Sequence, residues 1–302
     1  MQNKQLGYLL IPLLACIWGS SFILMKRGMF TTDGTAVFSA AQVASIRIFA
    51  ASSIFLPLLP KLLKNLYSPK DLLYFAVVGL GGNLIPAFLF TFAEQTLDSG
   101  IAGIMNSFTP IFTIIVGTLI FRTQITPQQL IGTLIGFSGI SWLILLSSPV
   151  KSSFELTPAL AILLATFLYG ISLNTIKHKL SKYNPIQIAT GGFSIAFLPA
   201  IISFFYFDTP RVFDQNKFAL ESFIYILILG LIGTAFAVIL FNRIIAQTTA
   251  LAASTVTYFI PIIAVAIGIY NGERFVWQQL LAMLVIITGV LLVNLKGNKS
   301  NK

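Results

Sequence analysis

Apolar stretches of roughly 20 residues, each long enough to cross about 30 Å of hydrocarbon at about 1.5 Å per residue, recur along this chain from one end to the other. Ten are counted, at about 6–27, 36–59, 72–95, 99–121, 127–147, 157–177, 185–207, 221–246, 250–270 and 276–295. Of the 302 residues, 56% are apolar and only 9% charged, and the mean hydropathy is +0.89. So few charges cannot cover a soluble surface, and most of them sit at the ends of apolar runs. The expectation is an all-α integral membrane protein of ten transmembrane helices. Extracellular, nucleic-acid-binding and ordinary soluble-enzyme classes are excluded.

Loops are short throughout. The link from Glu94 to Gly100 is only a turn, so the third and fourth helices are expected to be antiparallel neighbours, as are the eighth and ninth. The net charge of +10 is read as topology, because the basic residues fall in these short loops. With a cytoplasmic N-terminus, Lys4, Lys61, Lys64, Lys70, Arg122, Lys177, Lys179, Lys182, Arg243, Lys296, Lys299 and Lys302 lie inside. Lys26, Arg27, Lys151, Arg211, Lys217 and Arg274 lie outside, and Arg47 falls within the second helix. Both termini are therefore expected in the cytoplasm. The single cysteine, Cys16, excludes an internal disulfide and a multi-Cys metal site. Leu13-Leu14-Ala15-Cys16 loosely resembles a lipoprotein cleavage box, but the apolar run continues to Met25, so the segment reads as a retained helix.

Sliding the chain against itself by 151 residues aligns several features at once. Trp18-Gly19-Ser20-Ser21 falls on Tyr169-Gly170-Ile171-Ser172, and Lys26 on Lys177. Gly79, Leu80 and Gly82 fall on Gly230, Leu231 and Gly233, Phe108 and Pro110 on Phe259 and Pro261, and Gly117 on Gly268. One residue is then lost, so that Gln129-Leu130 matches Gln279-Leu280 and Ser138-Gly139 matches Thr288-Gly289. The domains are thus a five-helix repeat over 1–148 and a second over 157–296. Five is odd, so the second repeat enters the membrane from the opposite side, the inverted arrangement that underlies alternating access.

Ile17-Trp18-Gly19-Ser20-Ser21-Phe22, Arg47-Ile48-Phe49, the Pro110 and Pro261 segments and Asn271-Gly272-Glu273-Arg274 together resemble the drug/metabolite transporter superfamily, specifically its ten-helix EamA-type permeases. The resemblance spans essentially the whole chain. It departs at Phe121-Arg122-Thr123-Gln124, where the family's pattern has a Glu like that of the Gly-Glu-Arg turn. The resemblance implies export or facilitated passage of small metabolites, often amino acids or related compounds, across a cell membrane.

At about 1.5 Å per residue, Trp18, Arg47, Asn83, Pro110, Tyr169, Thr234 and Pro261 all fall roughly 16 to 20 Å deep, in one midplane layer. Polar groups at that depth face one another or a water-filled cavity. Arg47 costs about 3 kcal/mol at the bilayer centre on insertion scales. It reads either as a carboxylate anchor or as a tie from the second helix to backbone carbonyls or to Asn83. Pro110 and Pro261 each remove a helical hydrogen bond, freeing the carbonyls of Asn106 and Thr257. By three- and four-residue spacing, Asn106, Thr109, Pro110 and Thr113 share one helical face, as do Thr257, Pro261 and Ala264. These faces read as a kinked, polar pathway lining or as ordinary membrane-helix prolines. Trp18 and Tyr169 read as substrate-stacking rings or as plain packing beside Gly19 and Gly170. Glu94, with Asp98 beyond it, is the one carboxylate placed within a helix, and reads as a proton carrier or as a solvated helix end.

The substrate-binding candidates are therefore Trp18, Arg47, Asn83, Asn106, Tyr169 and Thr257, with Pro110 and Pro261 as kinks and Glu94 for proton coupling. The expected partners are a small-molecule substrate and membrane lipid, with no nucleic acid, no cofactor and no metal. Carriage of organic anions or sugar phosphates is the near alternative, although a single intramembrane Arg is thin provision for a phosphate dianion. Lipid flipping remains a second alternative, because its cavity has the same apolar composition. An intramembrane enzyme lacks its motifs: no clustered acidic pair, HExxH or GxSxG occurs, and His178 sits between two lysines at a helix end. A channel or a membrane scaffold is disfavoured by the inverted repeat. No GxxxxGK[ST] motif is present, so uphill transport must draw on a gradient. Absence of a transit peptide points to a bacterial cytoplasmic membrane.

Overall fold

The structure is a computed structural model that describes residues 2–97, 99–147, 156–263 and 276–294. Asp98, Ala264, Gly268 and the Asn271–Arg274 turn lie outside the described residues.

The first half comprises α1 (Gln2–Met29), α2 (Ala40–Phe55), a short 3-10 turn leading into α3 (Leu59–Lys64), and α4 (Asp71–Ala76). A π-helical segment, Val77–Leu84, then leads into α5 (Ile85–Ala93), followed by α6 (Ser99–Asn106), α7 (Thr109–Leu119) and α8 (Pro127–Ser147). The second half comprises α9 (Leu156–Lys179), α10 (Pro185–Tyr206), the short α11 (Thr209–Gln215) and α12 (Ala219–Gly230). A second π-helical segment, Leu231–Phe236, precedes α13 (Ala237–Gln247), and α14 (Ala250–Ser254) runs into a 3-10 turn, Thr255–Tyr258. The last described helix is α15 (Trp277–Asn294).

Among the described residues, seven helical stretches are long and apolar enough to cross a membrane, and Thr109–Leu119 and Ala250–Ile263 are shorter apolar helices. The chain is an all-helical, multi-pass membrane protein. The third expected helix is interrupted by a π segment rather than continuous. The fourth breaks at Ser107-Phe108, which places Pro110 in the first turn of α7, where a missing N–H costs little. Pro110 therefore starts a helix instead of kinking one.

The two halves use the same local devices. Ser39 and Asn184 each cap a helix reciprocally with a glutamine three residues on, Gln42 and Gln187. The two π segments carry related sequences, Gly79-Leu80-Gly81-Gly82-Asn83 and Gly230-Leu231-Ile232-Gly233-Thr234. In each, a side chain donates to the carbonyl five residues back: Asn83 to Val78 at 2.9 Å and Thr234 to Leu229 at 3.0 Å. That bond occupies an acceptor that the widened turn displaces.

Contacts repeat at the same offsets. A Cβ on Gly79 would strike the carbonyl of Gly192, and one on Gly230 the carbonyl of Arg47. A Cβ on Gly82 would strike the hydroxyl of Ser172, and one on Gly233 that of Ser21. Thus α1 lies against α12 and α13, and α9 against the first π segment and α5. Between them α2 packs on α10, and α8 packs on α15. Lipid tails supply no hydrophobic drive between helices, so these close backbone approaches through small residues provide the packing.

The two ends of the bundle differ. At the end holding Lys177, one continuous apolar cluster joins α1 (Leu14), α9 (Ile176) with Leu180 just past it, α13 (Ile244, Ile245) and α14 (Ala253). At the end holding Lys26 the corresponding side chains divide. Met25 and Met29 pack with α2 and α12, whereas Phe90, Ala93 and Leu97 pack with α6 and α9. The Lys177 end is also tied by Asp71, 2% exposed, which pairs with Lys182 at 2.8 Å and accepts from the Tyr183 hydroxyl at 2.6 Å. The backbone N–H of Tyr67 donates to that same hydroxyl at 3.0 Å.

Candidate functional site

A cavity of about 1020 Å³, its open end included, lies between the two halves. Its walls pair residues 151 apart: Trp18 with Tyr169, Ser21 with Ser172, Met25 with Ile176, Asn83 with Thr234, Phe90 with Phe241, and Asn106 with Thr257. Six of the sequence-named candidates, Trp18, Arg47, Asn83, Asn106, Tyr169 and Thr257, line it together. Pro110 and Pro261 lie beside lining residues but not on the wall.

Arg47 enters from the middle of α2. Its Nε donates to Thr234 Oγ1 at 2.7 Å, so the tie runs to the second π segment and not to Asn83, whose amide is spent on Val78. Thr234 is only 3% exposed, and its own hydroxyl hydrogen goes to Leu229, so the acceptor is held in place. The terminal nitrogens of Arg47 make no hydrogen bond with the described residues. A forked donor pair is therefore presented to the cavity.

Around it stand groups with spare capacity. The amide oxygens of Asn106 and Asn242, both on the cavity wall, are buried without a hydrogen-bond partner. Asn242 is oriented by its amide nitrogen, which donates to Pro185 at 3.4 Å. Thr109 closes onto the Asn106 carbonyl at 2.7 Å, so that freed carbonyl is used within its own helix break. The Thr257 hydroxyl likewise donates to Ser254 at 2.9 Å. Trp18 donates its indole N–H to the Gly233 carbonyl at 3.2 Å and meets Phe241 edge-on at 4.9 Å. Tyr169 stacks on Phe90 at 6.0 Å. Apart from Ser21, whose hydroxyl donates to Ile17 at 2.9 Å, and Ser172, the rest of the wall is apolar.

Glu94 is not a solvated helix end. It sits in the turn after α5, 2% exposed, and both carboxylate oxygens are buried without a hydrogen bond. Lys26 and Arg47 are the cations whose charges reach it. Burial follows because the turn tucks under Ala93 and Leu97, which are themselves buried. Among the described residues, no three His, Cys, Asp or Glu side chains come together as a metal site.

Two parts of this site escaped the reading by residue type. Thr234 stood in the midplane layer without an assigned role, and Asn242 was not singled out. The repeated glycine segments ending in Asn83 and Thr234 carried the signal for the first. No sequence signal distinguishes Asn242 from other polar residues near a helix end.

The sequence pattern of the EamA-like transporter family matches residues 5–145 and again 156–295. An uncharacterized transporter from Archaeoglobus fulgidus is 23% identical over 95% of this chain and 98% of its own length. The uncharacterized inner membrane transporter YedA of Escherichia coli is 25% identical over 92% of this chain and 87% of its own. A probable terminal-alkyne amino-acid exporter from Streptantibioticus cattleyicolor is 22% identical over 92% and 89%. One solved crystal structure superposes with a TM-score of 0.68 at 13% identity, covering 94% of each chain, a likeness of fold. With two matched repeats that together span nearly the whole chain around a shared cavity, this protein belongs to the EamA-like transporter family.

Proposed function

We propose that this chain is a secondary transporter of small amphipathic metabolites, amino acids or closely related compounds, working by alternating access around the cavity between its repeats. Ten helices cross the membrane as two inverted five-helix repeats, 1–148 and 157–296. Both termini and the Lys177 end are cytoplasmic in this reading, following the lysine and arginine bias. The observation that carries the substrate class is Arg47, whose Nε is fixed by Thr234 while its terminal nitrogens face an apolar cavity. A guanidinium so placed matches a carboxylate in bidentate geometry. The unpartnered amide oxygens of Asn106 and Asn242 suit an ammonium group, and the apolar wall suits a side chain. Trp18, Tyr169, Asn83 and Thr257 complete the binding surface, and the helix breaks before Pro110 and Pro261 give the two polar faces room to bend.

Transport draws on an ion or substrate gradient, with Glu94 the buried carboxylate available to carry a proton. Counterflow in proteoliposomes tests this without assuming a coupling ion, using neutral, aromatic, basic and acidic amino acids with purines and sugar phosphates alongside. Saturable exchange of amino acids is expected. Exchange confined to sugar phosphates, or none at all from folded protein, sinks the assignment and turns attention to phosphorylated or lipid-like substrates.

A further inference from the structure

Lys26 and Lys177 occupy the same position in the two halves but not the same environment. Lys177 Nζ, in the last turn of α9, donates to the carbonyls of Ile245 at 2.9 Å and Thr248 at 2.5 Å. These are orphan acceptors at the C-terminal end of α13, where a cation also meets the negative end of the helix dipole. Subtracting the offset of 151 from Ile245 and Thr248 gives Glu94 and Leu97, just past the C-terminus of α5.

Lys26 makes no such contact. It is exposed, and no hydrogen bond joins it to Glu94 or Leu97 among the described residues, although its charge reaches Glu94. The helices agree: α13 packs against α9, whereas α1 and α5 have no comparable contact. The apolar clusters also agree, continuous at the Lys177 end and at the Lys26 end split into two that share only the partly buried Phe22. The carboxylate, buried without a hydrogen bond and within reach of the Lys26 charge, is thus a docking position for that cation, since a buried carboxylate gains from a directly bonded partner.

We propose that Lys26 and Lys177 are alternating latches, one for each end of the cavity. The structure is closed at the Lys177 end and open at the Lys26 end. Closing the open end brings the Lys26 ammonium onto the Glu94 carboxylate and the Leu97 carbonyl, while Lys177 leaves α13. This rests on the alternating-access reading but not on the substrate class. The Lys26 latch closes on a carboxylate, whereas the Lys177 contacts named here are the carbonyls of Ile245 and Thr248.

The test is pulsed EPR distance measurement on full-length protein in lipid, in a Cys16→Ser background. One nitroxide pair replaces Ile23 and Thr96 at the Lys26 end, and another replaces Lys179 and Ala246 at the Lys177 end. The wild type is expected to show short and long distances at both pairs, with opposite weights. Lys26→Gln and Glu94→Gln should each lower the short-to-long ratio at the Ile23/Thr96 pair about tenfold, within the usual range of coupling between states. Lys177→Gln should do the same at the other pair. Lys26→Arg should retain the short distance, and Lys26→Glu combined with Glu94→Lys should restore it, which a merely structural role would not produce. A wild type that never shows the short Ile23/Thr96 distance, or unchanged ratios in both Lys26→Gln and Glu94→Gln, overturns the latch. Counterflow on the same samples separates the two readings. Amino-acid exchange with unaltered distances refutes the latch alone, and latch-dependent distances without amino-acid exchange refute the substrate class alone.

Discussion

Replacing Thr234 by valine keeps the shape of the side chain and removes its hydroxyl. That oxygen accepts from Arg47 Nε at 2.7 Å and donates to Leu229 at 3.0 Å, so valine orphans a guanidinium N–H and a π-turn carbonyl together. A hydrogen bond to a charged group contributes about 1.5–3 kcal/mol net. Arg47 is part-buried, so cavity water recovers some of this, leaving about 1–2 kcal/mol. If Thr234 aims the guanidinium at the substrate, that loss raises half-saturation for an amino acid about 5- to 30-fold. Thr234→Ser keeps both bonds and should stay within about twofold of wild type. The assay is counterflow of an amino acid beside its carboxamide analogue, which has no carboxylate to lose and should respond far less to valine. Equal half-saturation in Thr234→Val and wild type, from protein of normal thermal stability, refutes the claim that Thr234 orients Arg47 for a carboxylate.

Arg47→Ala should abolish the preference for the amino acid over its carboxamide in the same assay; a drop in membrane yield with the preference intact makes Arg47 a structural tie. Asn106→Leu and Thr257→Leu should each cut transport several-fold with little loss of folded protein, and normal transport by both removes them from the cavity's working surface. A Cβ on Gly82 would meet Ser172, so Gly82→Ala should cost about 1–3 kcal/mol by overpacking, whereas Gly81→Ala meets only Leu168 at 3.9 Å and should be nearly neutral. Comparing Tm in detergent checks both. Burial, and then the bond to Asp71, push the Tyr183 hydroxyl up to about 12, above the ordinary tyrosine value of about 10. Its raised pKa contributes stability present in full below about pH 10 and lost as pH climbs through about 12. Thermal unfolding across that window should show a fall in wild type that Tyr183→Phe flattens.

Much of this was legible because membrane insertion simplifies the code. Apolar runs mark helices, since only a helix satisfies its own backbone in lipid, and seven such stretches among the described residues are long enough to cross. The midplane layer named Trp18, Arg47, Asn83, Tyr169 and Thr234, all of which line the cavity, whereas Pro110 and Pro261 of the same layer lie off its wall. Two things were hidden. Whether a proline kinks a helix or begins one depends on whether the chain breaks before it, and the Ser107-Phe108 break carries no strong local signal. Nor does residue type distinguish Glu94 as a wet helix end from Glu94 as a buried one. That depends on whether the following turn folds over it, a tertiary choice made by Ala93 and Leu97 packing against α6 and α9.

The positions where the halves diverge say most about chemistry. Capping boxes at Ser39 and Asn184 align α2 with α10 at an offset of 145 rather than 151, and on that offset Arg47 corresponds to Gly192. Both backbones do the same structural task, each bringing its carbonyl against a glycine, Gly230 at the end of α12 or Gly79 in the first π segment. The close approach is thus independent of the arginine side chain and would survive with any residue at 47 that keeps its side chain in the cavity. A guanidinium kept near the bilayer centre at a cost of about 3 kcal/mol, where its counterpart is a glycine, is not needed for packing. On the zwitterion reading proposed above, this single cation serves one carboxylate, and the unpartnered amide oxygens of Asn106 and Asn242 on the same wall take a donor. On that reading, selection of a zwitterion rests on a position where the duplication is unequal and where packing alone does not call for an arginine.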